Sequence, residues 1–359
     1  MTRSSLLLLT SDDGLAQTVQ QLAAAAGVAV ERSSAAGTTL DGPGRVDGPS
    51  AGRLSLVLAD VAHLDTGPVR RRRDVPLHVL ANAPAPDVVF RRALDAGALG
   101  VLAVPDDLGR LSELLADLDR PRQGRVVAVT GGSGGVGTSV TATALALRAA
   151  VEPTLLVDLD PWGPGLGRVL GGRPGEGITW DDLGGVDGRL SASELAAALP
   201  HDGDLALLTW PDDGAVPLDD RLVAEVVAAG ARGHDWVVLD CPRGAARSPD
   251  LLGLCDLVLL LVAGTVAGVA SAARVAAPLR AAGAPVGLVV RSGGAAVAGS
   301  EVSRLLGLPL LAEVGHDRRL GEHVDAGLGP VHGRRSSLVR AVDEVLALLE
   351  DDRVVGGPW

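Results

Sequence analysis

Neither lysine nor tyrosine occurs anywhere in the 359 residues, so all 32 basic side chains are arginine. A Schiff-base lysine, a lysine in a phosphate loop and a tyrosine–lysine acid/base pair are therefore excluded. The Ala, Gly and Arg bias fits genomic base composition, so the missing lysines do not by themselves establish inactivity. Cysteine is scarce: Cys241 and Cys255 are too few for a disulfide framework and lack metal-ligand spacing, which points to a reducing compartment, read as the cytoplasm. Positive charge is in deficit, with a net charge of -12 and a sequence pI near 5.0. No broad cationic surface is left for a nucleic-acid backbone or anionic lipid, and no specific nucleic acid is expected as a partner. Long hydrophobic runs are also missing. Leu6 to Leu9 is too short for the core of an export signal and acidic residues follow it, so export is not expected. Leu257 to Ala273 is uncharged for seventeen residues, but Gly264 and Thr265 interrupt it. A buried parallel strand over Leu257–Val262 and an Ala-rich helix from about Val266 explain that run better than a membrane span does.

What is present is 47% hydrophobic, enough for a small N-terminal domain and a larger second one, each with its own core. The expected boundaries are 1–120, a linker at 121–124 carrying Pro121, a domain over 125–350, and a tail at 351–359. The first 120 residues alternate strand and helix patterns. Strands are expected at Leu6–Leu9, Leu54–Ala59, Leu77–Leu80 and Gly100–Val104, with helices at Gly14–Ala26, near Val88–Ala96 and at Leu108–Leu118. The Gly, Ser, Asp and Pro-rich stretch Arg32–Gly52 reads as a loose loop with room for one strand. The four arginines Arg70–Arg73 fit a solvated loop better than a phosphate or acidic-partner site. Beyond the linker, strands are expected at Arg125–Thr130, Thr154–Asp158, Leu205–Thr209, Trp236–Asp240, Leu257–Val262, Pro285–Val290 and Leu308–Leu311. Continuous apolar strands alternating with helices imply an α/β fold whose parallel sheet is covered on both faces. No internal repeat is evident.

The segment VVAVTGGSGGVGTS, Val126 to Ser139, runs from a strand through a glycine loop into a helix over Val140–Ala149. Five glycines in the seven residues Gly131–Gly137 exceed what a tight turn requires. They let backbone N–H groups close on a phosphate, and the following helix adds its unpaired N–H groups and positive dipole end. Gly132, Gly134 and Gly137 also satisfy G-x-G-x-x-G, so the segment is similar to a short-chain dehydrogenase fingerprint with Asp158 as the ribose acid. An active dehydrogenase of that kind fails for want of tyrosine and lysine, although dinucleotide binding alone survives as a second reading.

Downstream segments favour the other reading. Leu155–Pro161 reads LLVDLDP and Asp235–Pro242 reads DWVVLDCP, and Leu308–Asp317 is followed by Glu322 and Gly327. With the loop, these resemble the MinD/ParA superfamily of P-loop proteins, and especially its CpaE-like branch, over nearly all of Arg125–Leu349. In that family the loop reads K-G-G-x-G-K-T. The resemblance places Ser133 at the signature lysine, which reaches across a nucleotide-sandwich dimer, and Thr138 at the loop lysine. It makes Gly132, Ser133, Gly134, Gly135, Val136, Gly137, Thr138 and Ser139 the phosphate-binding loop, with Ser139 as a Mg²⁺-coordinating hydroxyl. Asp158 would lie near the metal, Asp160 would orient an attacking water, and Asp240 would hold Mg²⁺ through water at the end of the Walker B strand. Arg291 and Ser292 stand where the family presents an asparagine to the adenine. The implied cofactor is ATP or ADP with Mg²⁺.

In the N-terminal domain the pattern resembles two-component receiver domains over about 115 residues. Asp60 stands at the phosphoacceptor position, but Thr10 and Ser11 take the acidic-pair positions, Ala81 the hydroxyl position and Val104 the lysine position, with Asp12 and Asp13 one step further on. Phosphoryl transfer requires the phosphate charge to be neutralised. A set so depleted is expected to be a pseudo-receiver that serves as an interaction module, with Asp60 capping the next segment.

Loss of one phosphate-stabilising cation commonly costs about 10²-fold in turnover, so hydrolysis is expected to be slow or absent, while an arginine such as Arg168, Arg243 or Arg291 could approach the phosphates. Some relatives end in a basic amphipathic helix that docks on lipid. Here Ser337–Glu350 carries Asp343, Glu344 and Glu350 against Arg340, so no direct membrane anchor is expected. The resemblance implies a regulatory or positioning protein that works with protein partners of the division septum or of a Tad-type pilus or secretion apparatus, with a homodimer allowed. A nucleotide-independent scaffold and an ATPase rescued by arginine are the alternatives.

Overall fold

Alternating apolar strands and amphipathic helices close into two parallel sheets, seen in a computed structural model that describes residues 4–33, 53–64, 75–118, 124–172, 175–184, 190–211, 219–243, 248–292, 297–331, 333 and 336–351. The chain divides into two units: Met1–Pro121 with Gly185–Ser193, and Arg122–Gly184 with Glu194–Trp359. The grouping of Gly185–Ser193 with the first unit has no signal in the local sequence.

The first unit contains β1 (Ser4–Leu9), α1 (Asp13–Ala25), β2 (Ala29–Ser33), β3 (Arg53–Asp60), β4 (Leu77–Asn82), α2 (Asp87–Asp95), β5 (Gly100–Val104) and α3 (Leu108–Leu118). Its sheet is parallel throughout, in the order β2-β1-β3-β4-β5. That is the flavodoxin-like order, in which the chain reverses direction across the sheet between β1 and β3 and opens a crevice at the strand ends. Side chains alternate across β1 with the strand period of two. Leu6 and Leu8 enter one core with Leu15, Val19, Leu111 and Leu115 of α1 and α3, while Leu7 and Leu9 enter the other with Val89 and Ala93 of α2. Two expectations need correction. β2 is a regular edge strand just ahead of the polar stretch, whose remaining part, residues 34–52, lies outside the described residues, as do Arg70–Arg73. β4 runs two residues past Leu80, so the strand-end position over the crevice belongs to Asn82, and Ala81 is buried in the core below it.

The second unit contains β6 (Arg125–Gly131), α4 (Thr138–Ala149), β7 (Thr154–Asp158), α5 (Leu166–Leu170), α6 (Ala192–Ala198), β8 (His201–Asp202), β9 (Leu205–Leu208), α7 (Asp220–Gly233), β10 (Trp236–Cys241) and α8 (Pro249–Leu252). It continues with β11 (Leu257–Ala263), α9 (Val266–Ala281), β12 (Val286–Ser292), α10 (Gly299–Leu306), β13 (Leu310–Gly315), α11 (Arg318–Asp325) and α12 (Ser337–Glu350). The strand order is β13-β12-β11-β6-β10-β7-β9-β8, parallel except for the short antiparallel β8. The uncharged run after Leu257 is thus β11 plus α9. All six residues Leu257–Val262 are buried. Burying each Leu or Val contributes about 1.5–3 kcal/mol, which favours a central strand, and Thr265 caps α9 by accepting from the Gly268 N–H. No described helix is long and apolar enough to cross a membrane. The expected closing strand shifts to Leu310–Gly315, because Pro309 lacks an N–H to donate and serves through its carbonyl, which accepts from Leu288. α12 packs its apolar face, including Leu338, Val342, Val345 and Leu349, into the core against α4 and β13.

Candidate functional site

β6 lies between β10 and β11, so the chain leaves it toward one side of the sheet and returns to the other. The crevice at its carboxyl end is where an open parallel sheet receives ligands. There the loop joins β6 to the N-terminus of α4, and a cavity of about 1180 Å³ opens beside it. Its wall includes Gly131, Ser133–Gly135 and Gly137–Val140 from the loop and α4, and Asp160, Arg168, Thr209, Trp210, Asp240 and Arg243 from the surrounding segments.

Four of the five loop glycines divide into two groups by cause. Gly135 and Gly137 have φ of 69° and 96°, the left-handed region that favours glycine, and Gly137 caps α4 in that conformation. Gly131 and Gly132 are required for close packing. A β-carbon on Gly132 would lie 2.6 Å from the Ala272 β-carbon and 3.1 Å from the Leu261 carbonyl oxygen. The Gly132 N–H donates to Leu261 O, and its carbonyl accepts the Ser271 hydroxyl at 2.5 Å. Gly132 therefore ties the loop to β11 and α9, and its N–H is already bonded within the protein. Val136 is buried in the core. The cavity receives Ser133, Gly134, Gly135, Gly137, Thr138 and Ser139 of the expected loop set.

Three aspartates converge near the loop, each held differently. Asp158, 1% exposed at the end of β7, is locked by protein donors: one oxygen accepts from the Asp160 N–H at 3.1 Å, the other from the Leu166 N–H at 3.1 Å and the Thr209 hydroxyl at 2.8 Å. Burial raises its carboxyl above the usual range against these lowering bonds. The Trp180 indole N–H donates to its carbonyl at 2.7 Å, so Asp158 pins the segment Asp160–Leu166, the Trp180 turn and the end of β9 together. Asp160 lines the cavity, and its side chain accepts from the Trp162 N–H at 3.1 Å. Asp240 ends β10 at 3% exposure and accepts a hydrogen bond from Ser139. Burial pushes its carboxyl up to about 7, the Ser139 bond opposes this, and the charges of Asp158 and Asp160 add to the rise. The pairing of Asp240 and Asp158 in register across β10 and β7 produces this crowding.

Arg291, which the resemblance places in the adenine region, donates its guanidinium to the Val136 carbonyl at 2.9 Å and lies 3.0 Å from where a β-carbon on Gly137 would stand. It supports the loop and is not part of the cavity wall. Cys241, beside Asp240, is buried, and burial pushes its thiol well above the usual range, so it is neutral.

In the first unit, Asp60 ends β3 with both carboxylate oxygens engaged. One accepts from the Ala62 and His63 N–H groups at 3.0 and 3.2 Å and pairs with His63 Nδ1 at 2.6 Å. The other accepts from the Thr10 hydroxyl at 2.7 Å and the Ser11 N–H at 3.3 Å. Burial opposes its ionisation, but the bonds from His63 and Thr10 and the nearby His63 hold the carboxyl below its usual range. Asp12 caps α1 through Gly14 and Leu15 and accepts from Asn82 Nδ2 at 3.0 Å. His63 and Asn82 are functional-looking residues that the sequence reading missed. The i,i+3 spacing of Asp60 and His63 after a strand was the available signal.

Comparison with known proteins bears on both units. The family described as Rv3660c-like, CheY-like N-terminal domain matches residues 9–126. Over 351 residues, 95% of this chain and 97% of the relative, the chain is 36% identical to Rv3660c of Mycobacterium tuberculosis (strain ATCC 25618 / H37Rv). Among solved structures, the ParA family ATPase from Chlorobium tepidum TLS matches 63% of this chain and 99% of its own at a TM-score of 0.55 and 19% identity. The septum site-determining protein MinD of Pyrococcus horikoshii OT3, complexed with Mg-ADP, matches 64% of this chain and 97% of its own at 0.52 and 22%. At such identities these two establish the fold alone, a MinD/ParA-type P-loop sheet. With its CheY-like N-terminal domain and near-full-length likeness to the mycobacterial protein, the chain belongs to the Rv3660c-like family.

Proposed function

We propose that the second unit is a nucleotide-responsive P-loop module of the MinD/ParA kind and that the first is a pseudo-receiver serving as a docking module. Together they would form a regulatory or positioning protein of division or secretion machinery, with the CpaE-like branch as the nearest analogy. The observation that carries this reading is the joining of three features in one cavity: the glycine loop, the N-terminus of α4, and the Ser139–Asp240 pair.

The donor set fits a divalent cation. Among the described residues no group of three or more His, Cys, Asp and Glu side chains is arranged to hold a metal unaided. Mg²⁺ ordinarily takes one or two carboxylates and completes its shell with phosphates and water. Ser139 and Asp240 offer oxygen ligands, and the raised Asp240 carboxyl marks a place short of positive charge. A bound Mg²⁺ would supply charge neutralisation for phosphate. Asp158, with both oxygens bonded, acts in this reading by positioning the Asp160 segment. The free N–H groups of the loop and the first turn of α4 would hold the phosphates of ATP or ADP. Because the loop and signature positions hold Thr138 and Ser133, hydrolysis is slow or absent. Nucleotide occupancy would then act as a switch through the Asp160–Leu166 segment rather than as fuel. The solved relatives support these roles by name: a MinD with Mg-ADP, and a MinC:MinD cell division protein complex from Aquifex aeolicus. The latter makes a protein partner, or a second copy of the chain, the reasonable effector.

A nucleotide-independent scaffold is the competing reading, favoured by the same two substitutions, Ser133 and Thr138. Titration with ATP and ADP, with and without Mg²⁺, separates the two. Mg²⁺-dependent binding that disappears in Asp240→Ala supports the switch, and no binding at millimolar nucleotide leaves the scaffold.

A further inference from the structure

A phosphate loop without lysine has backbone N–H groups and a helix dipole, but no full positive charge of its own. A polyphosphate carries several negative charges into a cavity whose buried neighbours, Asp158 and Asp240, are themselves acidic. In a chain without lysine, an arginine is the side chain that can add to the balance, and among the described residues three stand around the loop.

Their surroundings distinguish them. Arg291 lies half-buried behind the loop and donates to the Val136 carbonyl at 2.9 Å. Arg168 lines the cavity but is folded back on its own segment, donating to the Pro164 carbonyl at 2.9 Å. Arg243 also lines the cavity, is exposed, and makes no hydrogen bond or ion pair with any described residue. Its Nη2 lies 4.0 Å from where a β-carbon on Gly134 would stand, so the guanidinium faces the open backbone of the loop one residue past Ser133, where the lysine-bearing relatives place the signature lysine. Arg243 follows Asp240-Cys241-Pro242 directly, so the segment that carries the candidate Mg²⁺ carboxylate also carries this cation. A guanidinium presents a planar fork of donors that matches two phosphate oxygens at once.

We propose that Arg243 supplies, within one chain, the positive charge that binds the polyphosphate of a nucleoside di- or triphosphate on the Gly134 side of the loop, replacing the missing lysines. This inference rests on the nucleotide reading of the site. It implies that phosphate binding does not wait for a cation from a second copy of the chain.

Calorimetric titration of the full chain with MgATP and, separately, with inorganic tripolyphosphate tests it. A lost charge-assisted, bidentate contact weakens binding by about tenfold or more. Arg243→Ala is expected to show that loss for both ligands and a shallower salt dependence, Arg243→Lys to recover only part of it because a point charge lacks the bidentate fork, and Arg168→Ala to stay within about threefold of the wild type. The exposed position of Arg243 means that ligand-free melting of Arg243→Ala should match the wild type, which separates lost contact from lost fold. Wild-type binding left unchanged in Arg243→Ala overturns the assignment while sparing the nucleotide reading. Absence of wild-type binding to either ligand at millimolar concentration overturns both.

Discussion

Asp240 is a carboxylate that the ligand-free fold holds against its own ionisation, and Asp240→Asn should show it. In the folded chain burial, with the charges of Asp158 and Asp160, raises its carboxyl from an ordinary 3.8 to about 7. The unfolded chain keeps an ordinary carboxyl. Below the unfolded value both states are protonated and the group costs nothing. As pH rises from there toward 7, the unfolded state ionises freely while the folded state resists. Folding stability therefore falls by about 1.4 kcal/mol per pH unit and levels off above the folded value, for a total of about 4 kcal/mol. Asparagine keeps an oxygen to accept from Ser139 but cannot ionise. In EDTA, melting curves of both proteins from pH 4.5 to 8.5 should show Asp240→Asn gaining on the wild type as pH rises, then running parallel to it above about pH 7. For a unit of this size several kcal/mol corresponds to a Tm gap of roughly 8–16 °C. Mg²⁺ at pH 8 should raise the wild-type Tm and narrow the gap. A pH-independent difference between the two proteins would refute the reasoning.

Four further outcomes follow from the same geometry. Gly132→Ala should destabilise the second unit by about 1–3 kcal/mol, since its β-carbon meets Ala272 and the Leu261 carbonyl and the strand cannot move aside, a loss readable in urea denaturation. Asp60→Ala should cost the first unit about 2–4 kcal/mol by stripping the partners from His63, Thr10 and three backbone N–H groups, and small phosphodonors should leave no phosphate on wild-type Asp60 by mass spectrometry. Thr138→Lys restores a cation at the loop and should tighten MgATP binding by about tenfold in a titration, with any phosphate release rising above the wild-type level. Asp158→Ala should loosen the Asp160–Leu166 segment, increasing its protease sensitivity and hydrogen exchange while β6 and β11 stay protected.

Much of this arrangement was legible in residue order because parallel strands buried on both faces read as unbroken apolar runs. Val126–Val129, Leu155–Val157, Val237–Leu239 and Leu257–Val262 all became central strands. The loop was legible because its glycine density has no cheaper explanation than close backbone approach. β2 was not, since Ala29–Ser33 mixes Glu31 and Arg32 into an edge strand that needs no apolar face. Asn82 was not legible either, because the end of β4 is set by pairing with β5, where Asn82 lies opposite Val104, and not by composition. The separate roles of the arginines were invisible for a related reason: Arg168, Arg243 and Arg291 are alike in sequence, and the carbonyls of Pro164 and Val136 distinguish the bonded pair from Arg243, which has no such bond among the described residues.

The most direct test of the central claim is calorimetric titration of the purified chain with ATP in Mg²⁺ and in EDTA, repeated with Asp240→Ala. The account predicts saturable binding that depends on Mg²⁺ and is lost with Asp240, accompanied by little or no phosphate release. Failure of the wild type to bind at millimolar ATP, or binding indifferent to both Mg²⁺ and Asp240, would contradict it.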